Sequence, residues 1–165
     1  MAEGQIVVVD EQKMLEKIND LPNQLKSAWT DLWIKELTLK NPSYNSILIC
    51  GMGGSGIAGD LVSELYRDSS RVLIATHKDY GLPNWVSENT VVIAVSYSGN
   101  TEEVVDSIRV SLEKKLSVIA VTAGGKIEEL GQIHGFPVVK SSYQSSPRAA
   151  IGKLYASLLT LLAKL

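Results

Sequence analysis

This chain of 165 residues has almost no cysteine, little histidine and no block of charge of one sign. The sole cysteine, Cys50, rules out a disulfide within the chain and favours a reducing cytoplasm. The two histidines, His77 and His134, have no metal-ligand spacing around them, Asp79 being the nearest approach, so no metal is expected. Lysine and arginine are scattered and the formal net charge is -2, which argues against a nucleic-acid or membrane-surface partner. No positively charged start leads into a long apolar run, so no signal peptide is expected. A membrane-spanning stretch is also lacking, since Lys153 and Lys164 interrupt the apolar C-terminal end. There are no repeats, low-complexity tracts or linkers. The length and a hydrophobic content of 45% instead describe one folded globular domain.

What the chain does have is an alternation of buried strands and helices. After a short segment at Gln5–Val9, helix-period apolar residues run over Glu11–Leu21 and Pro22–Leu39. Strands are expected at Ile47–Cys50, Arg71–Thr76, Val91–Val95, Ser117–Thr122 and Phe136–Val139. Between them fall helices at Gly54–Tyr66, Thr101–Lys115 and Lys126–Gly131, and a last helix starts at Pro147. The strands are continuous apolar runs, so both faces of the sheet should be covered. This pattern predicts an α/β fold, a three-layer α/β/α sandwich with a five-stranded parallel sheet in the flavodoxin-like order 2-1-3-4-5.

Two turns stand out. Gly51-Met52-Gly53-Gly54-Ser55-Gly56 follows the first strand, and Ser96-Tyr97-Ser98-Gly99-Asn100-Thr101 follows the third. Each presents backbone N–H groups, with hydroxyls beside them, at a helix N-terminus, where phosphates bind. In the expected strand order these two strands are neighbours at the switch point, where ligands of open α/β sheets bind. A phosphorylated ligand held from both sides is the expectation.

Other readings of the same residues are weaker. Gly51-x-Gly53-x-x-Gly56 fits a dinucleotide fingerprint, but the end of the second strand reads Ala75-Thr76-His77-Lys78, without the acid that holds the ribose. Ile57 stands where a P-loop needs lysine and where a nucleophile elbow needs glycine. Asn100 with Glu103 can form a capping box, which leaves Ser96, Ser98 and Thr101 without a role. Arg148 follows Pro147 at the start of the last helix, where a cation is unfavourable unless an anion lies near. Cys50 reads as a buried core residue, and Trp29, Trp33 and Trp85 as core or interface packing. The last helix has only a narrow polar stripe, Lys153, Ser157, Thr160 and Lys164, so a partner subunit or a further domain is expected against it.

Taken together, Cys-Gly-Met-Gly-Gly-Ser-Gly at 50–56, Ala-Val-Ser-Tyr-Ser-Gly-Asn-Thr-Glu-Glu at 94–103 and Ser-Pro-Arg-Ala-Ala at 146–150 resemble the bifunctional phosphoglucose/phosphomannose isomerases. These form a branch of the sugar isomerase (SIS) domain superfamily, and Lys78-Asp79-Tyr80 is similar to that branch as well. The resemblance covers roughly residues 45–165 and implies a SIS domain there, on which the N-terminal helical segment at 1–44 is expected to pack. It implies that Gly53, Gly54 and Ser55 face the substrate sugar, that Ser96, Ser98 and Thr101 bind its 6-phosphate, and that Arg148 stabilises an enediolate. The implied reaction is aldose–ketose isomerisation of hexose 6-phosphates through a cis-enediol, with no metal or organic cofactor. The glutamate base and ring-opening histidine of such enzymes lie in a second SIS domain, and Glu102 and Glu103 do not match the base. The chain is therefore expected to be an amino-terminal half, working with that second domain or as a homodimer. A sugar-phosphate sensor without catalysis, or less readily a dinucleotide-binding domain, is the alternative.

Overall fold

The structure, a computed structural model, describes residues 10–11, 13–31, 37, 39, 41–141, 143 and 145–165. The expected segment at Gln5–Val9 and Trp33 lie outside these residues. In chain order the elements are α1 (Met14–Asn19), α2 (Leu21–Asp31), β1 (Ser46–Gly51), α3 (Gly53–Tyr66) and β2 (Leu73–His77). Then come β3 (Thr90–Ser96), α4 (Glu102–Glu113), β4 (Ser117–Thr122), α5 (Gly125–His134), β5 (Val138–Lys140), a 3-10 turn (Pro147–Ala150) and α6 (Ile151–Leu162). All five strands pair in parallel in the order 2-1-3-4-5, as the sequence predicts.

The continuous apolar runs work as two interleaved faces. Ile47, Ile49, Val91, Ile93, Ile119 and Val121 point to one side and meet Ala58 and Val62 of α3 and Leu154, Leu158 and Leu161 of α6. Leu48, Cys50, Val92, Ala94, Val118 and Ala120 point to the other and meet Val104 and Ile108 of α4 and Ile127 of α5. Every residue of β1, β3 and β4 is buried. The chain leaving β1 thus crosses to one face and the chain leaving β3 to the other. Their ends stay aligned, with Gly51 beside Val95. That divergence opens a crevice at the carboxyl edge, between the two turns.

Element boundaries shift for local reasons. The second strand starts at Leu73, not Arg71, because the Ser70 hydroxyl accepts the Val72 N–H and donates to the Val72 carbonyl, folding that stretch on itself. The fifth strand starts at Val138 because Pro137 has no N–H to give to the ladder. Helix α5 runs on to His134: Gly131 is no stop signal but the point where Val138 and Phe136 pack too close for any side chain.

The largest correction concerns α6. Lys153, Ser157 and Thr160 are buried, and Lys153 Nζ donates to Ser27 Oγ at 3.0 Å. Helix α6 lies between the sheet and α2 of the same chain, flanked by α3. Gly152 allows the close approach, since a Cβ there would strike Leu21 and Gln24. The narrow polar stripe therefore serves a helix–helix contact within this chain, and it gives no ground for a subunit or second domain over α6. Trp29 and Trp85 are not core residues either, at 65% and 43% exposure. Among the described residues no helix is long and apolar enough to cross a membrane.

Candidate functional site

The glycine turn is bare backbone. Helix α3 begins at Gly53 with no side-chain cap and no acid in its first turn. The N–H groups of Gly53, Gly54 and Ser55 belong to that first turn, which leaves them without intrahelical acceptors. Gly51 and Gly56 are needed for closeness: a Cβ on Gly56 would lie 2.6 Å from the Gly51 carbonyl oxygen, and one on Gly51 3.1 Å from that of Val95. Gly53 is exposed, whereas Ser55 is buried at 5% exposure.

The hydroxyl turn is built differently. Ser96 is buried, its Oγ accepts the Gly99 N–H at 3.1 Å, and it lies 2.8 Å from Thr101 Oγ1. One hydroxyl proton is consumed between Ser96 and Thr101, so one remains to donate elsewhere. Exposed Ser98 accepts the Asn100 N–H at 3.3 Å and likewise keeps its proton to give. Thr101 is the N-cap of α4 and makes no side-chain cap bond itself. Glu102 and Glu103 occupy the first turn of α4 and compete for the positive end of that helix. Glu102 accepts the Tyr80 hydroxyl at 3.2 Å, and this bond, ahead of burial and the charges of Glu103 and Asp106, pushes the Tyr80 pKa up.

Asn100 does not form the capping box that its spacing to Glu103 allows. Its Oδ1 accepts the Lys126 N–H at 3.1 Å, its Nδ2 donates to the Ser98 carbonyl, and the Gly99 carbonyl accepts the Ile127 N–H at 3.0 Å. The hydroxyl turn is thereby fastened to the start of α5. Sequence reading missed this role, although Gly124-Gly125 after β4 marks a third strand-to-helix turn in the same row.

The two turns touch. The Tyr97 N–H donates to Ser55 Oγ, a long bond at 3.4 Å buried in the crevice. Arg148 sits on the 3-10 turn that packs against α3. It is exposed and has no hydrogen bond or ion pair among the described residues. The turn, rather than α6 itself, carries it, so the helix-dipole penalty expected for a cation at the start of α6 falls on a residue just outside that helix.

Neighbouring groups limit the chemistry. Burial pushes the Cys50 thiol up to about 12, so no thiolate nucleophile exists beside the glycine turn at neutral pH. At the end of β2, His77 and Lys78 stand where a ribose-binding acid would be, and Lys78 forms an ion pair with Asp60 of α3. Among the described residues no group of His, Cys, Asp and Glu could hold a metal ion. Beside the outer flank of the hydroxyl turn, Tyr80, Asn100, Glu102 and Lys126 border an open cleft of about 350 Å³.

The family model of the SIS domain matches residues 43–152. The chain is 36% identical over 152 residues to the bifunctional phosphoglucose/phosphomannose isomerase of Caldicellulosiruptor bescii, covering 92% of this chain and 45% of that protein. It is 37% identical over 127 residues to the protein of the same description from Thermoplasma volcanium, covering 77% of this chain and 40% of that one. Among solved structures, the C-terminal domain of glucosamine-fructose-6-phosphate aminotransferase from Francisella tularensis aligns with a TM-score of 0.65. That alignment covers 94% of this chain and 48% of the other at 14% identity, a likeness of fold alone. The chain thus spans less than half the length of both curated relatives.

Proposed function

Since the chain belongs to the SIS domain family, we propose that it binds hexose 6-phosphates for aldose–ketose isomerisation, glucose 6-phosphate or mannose 6-phosphate to fructose 6-phosphate. The observation that carries this reading is the bond from the Tyr97 N–H to Ser55 Oγ, which joins two helix N-termini on adjacent strands into one crevice. The 6-phosphate is read into the hydroxyl turn. There Ser96 or Thr101, together with Ser98, offers O–H donors, and the first turn of α4 adds N–H donors. The sugar is read as lying along Gly53, Gly54 and Ser55, whose N–H groups face it without a side chain between.

Isomerisation of the opened sugar leaves the carbon skeleton intact and moves two protons, the carbon-bound one from C2 to C1 and the hydroxyl one from O2 to O1. A base takes the C2 proton and leaves the negative charge on O1 of an enediolate; O1 gains the O2 proton, and return of the first proton to C1 makes C2 the carbonyl carbon. Arg148, uncommitted among the described residues, is read as the cation that balances that oxygen. Glu102 and Glu103 are not read as the base: they are first-turn acids of α4, and Glu102 is engaged by Tyr80. The base is read as coming from a second SIS unit, in a reducing cytoplasm, without metal or organic cofactor.

Calorimetry with fructose 6-phosphate tests the reading. The unmodified chain is expected to bind, and the joint change Ser96→Ala/Ser98→Ala to weaken binding by about two orders of magnitude, as lost hydrogen bonds to a charged group would. Undiminished binding by that variant would sink the assignment of the hydroxyl turn. Isomerase turnover by these 165 residues alone would overturn the assignment of the base to a second unit.

A further inference from the structure

Gln24, in the first turn of α2, is 1% exposed, and both polar atoms of its side-chain amide are bonded. Its amide nitrogen donates to the Ala149 carbonyl at 3.0 Å, to the Lys17 carbonyl at 3.1 Å and to Tyr143 Oη at 3.2 Å, three oxygens sharing two protons. Its Oε1 accepts the Lys153 N–H at 3.3 Å. Lys153 is the third residue of α6, so this N–H has no acceptor inside the helix, and Ala150, the residue at the N-cap, offers no side-chain bond. Gln24 therefore caps α6 from a different helix and also holds the carbonyl of Ala149. Arg148 is the residue immediately before.

A second set of bonds ties Tyr143 and Ser145, just before the turn that carries Arg148, to the hydroxyl turn. Tyr97, between Ser96 and Ser98, donates its hydroxyl to the Tyr143 carbonyl and accepts the Ser145 N–H at 2.8 Å. Tyr143 in turn donates its own hydroxyl to Asp20 Oδ2 at 2.8 Å, while Lys17 lies over its ring. An unbroken hydrogen-bonded route thus runs from the hydroxyl turn through Tyr143 to Gln24 and on to the turn that carries Arg148. Arg148 is exposed and, among the described residues, has no partner of its own, so its backbone directs it.

We propose that Gln24 is a positioning residue: by clasping Ala149 and Lys153 it sets where the Arg148 guanidinium stands relative to the phosphate held in the hydroxyl turn. The proposal rests on the functional reading above. It deepens that reading by giving the N-terminal helices a part in recognising the reacting end of the sugar. Phosphate binding itself involves the other end of the ligand and does not need Gln24.

Two probes separate these ends: inorganic phosphate, and an aldonic acid 5-phosphate whose carboxylate stands where the enediolate oxygens form. In calorimetry on the full 165-residue chain, Gln24→Met is expected to weaken the aldonate phosphate about tenfold, as a displaced cation would. Inorganic phosphate should stay within about twofold, the scatter expected for sites that do not interact. Arg148→Ala should show the same selectivity, and the double variant should be no weaker than Arg148→Ala. Equal weakening of both probes, no weakening of either, or full additivity with Arg148→Ala would overturn the proposal. Should Gln24→Met not fold, Gln24→Asn, which keeps the amide but shortens its reach to the Ala149 carbonyl and the Lys153 N–H, is judged by the same selectivity. An unmodified chain that binds neither probe refutes the functional reading, and the positioning role with it. Binding without selectivity in the variants refutes the positioning role alone.

Discussion

The two turns at the carboxyl edge do similar work by opposite means. The one after β1 is made of what is missing: no cap side chain, no acid in the first turn, and no side chain at Gly51 or Gly56, where a Cβ would meet backbone. The one after β3 is made of what is added: hydroxyls that satisfy one another, two first-turn acids, and bonds to the start of α5. A bare turn lets a ligand come close to backbone, whereas a laced turn holds donors in fixed directions. The comparison teaches that the first tolerates only small residues where helix and strand meet, while the second depends on its neighbours keeping still.

Glycine substitutions should separate them most sharply. Gly99 has φ +71 and a Cβ there would collide with the Gly124 carbonyl. Gly99→Ala is expected to cost about 3 kcal/mol, adding left-handed strain to overpacking. Gly53 has φ +51 but open space around it. Gly53→Ala should cost only about 1 kcal/mol, from strain alone. Denaturant unfolding of the two variants checks the difference, and equal losses would mean the laced turn is no more rigid than the bare one. Next in size is Ser55→Ala, which removes the acceptor of the Tyr97 N–H where the turns meet. A loss of about 1 kcal/mol is expected, with weaker fructose 6-phosphate binding in the same protein.

The smallest effect concerns acid. Asp106 of α4 is held below its usual carboxylate value of 3.8 by the Arg109 guanidinium first and the Gly81 N–H second. A lowered folded-state pKa contributes stability above the unfolded value and loses it as pH falls through the folded one. The loop at Gly81 should therefore stay anchored to α4 from neutral pH down to about 4 and loosen below that. Amide exchange at Gly81 across this range reads it out, and an anchor unchanged at pH 2 would count against the ion pair.

Much of this was legible beforehand because it is local. Runs such as Val91–Val95 and Ser117–Thr122 announce buried parallel strands, and their order follows from the rules of crossover connection. The turns are legible because glycine and serine at a strand-to-helix junction have few other uses. What escaped was tertiary. The stripe of Lys153, Ser157 and Thr160 has the spacing of a surface face, and only the arrival of α2 makes it an interior one. Asn100 has the spacing of a capping box, yet the start of α5 comes near enough to claim its side chain. Gln24 gave no signal, since a glutamine in a polar helix looks like any solvated residue until its distant partners Tyr143, Ala149 and Lys153, 119 to 129 positions away, are in place.

The divergence of the chain at β1 and β3 has one more consequence. The crevice it opens lies above the sheet, so the side chains that would select a ligand are not the ones whose packing keeps the domain folded. Ser98 and Arg148 are exposed and stand apart from the buried cluster of Ile49, Ile93 and Leu158, so exchanging them leaves that packing intact. The exposed positions of the crevice can therefore vary with little effect on the core, whereas buried Ser55 couples ligand binding to stability. A scaffold arranged this way can be retuned repeatedly without being rebuilt.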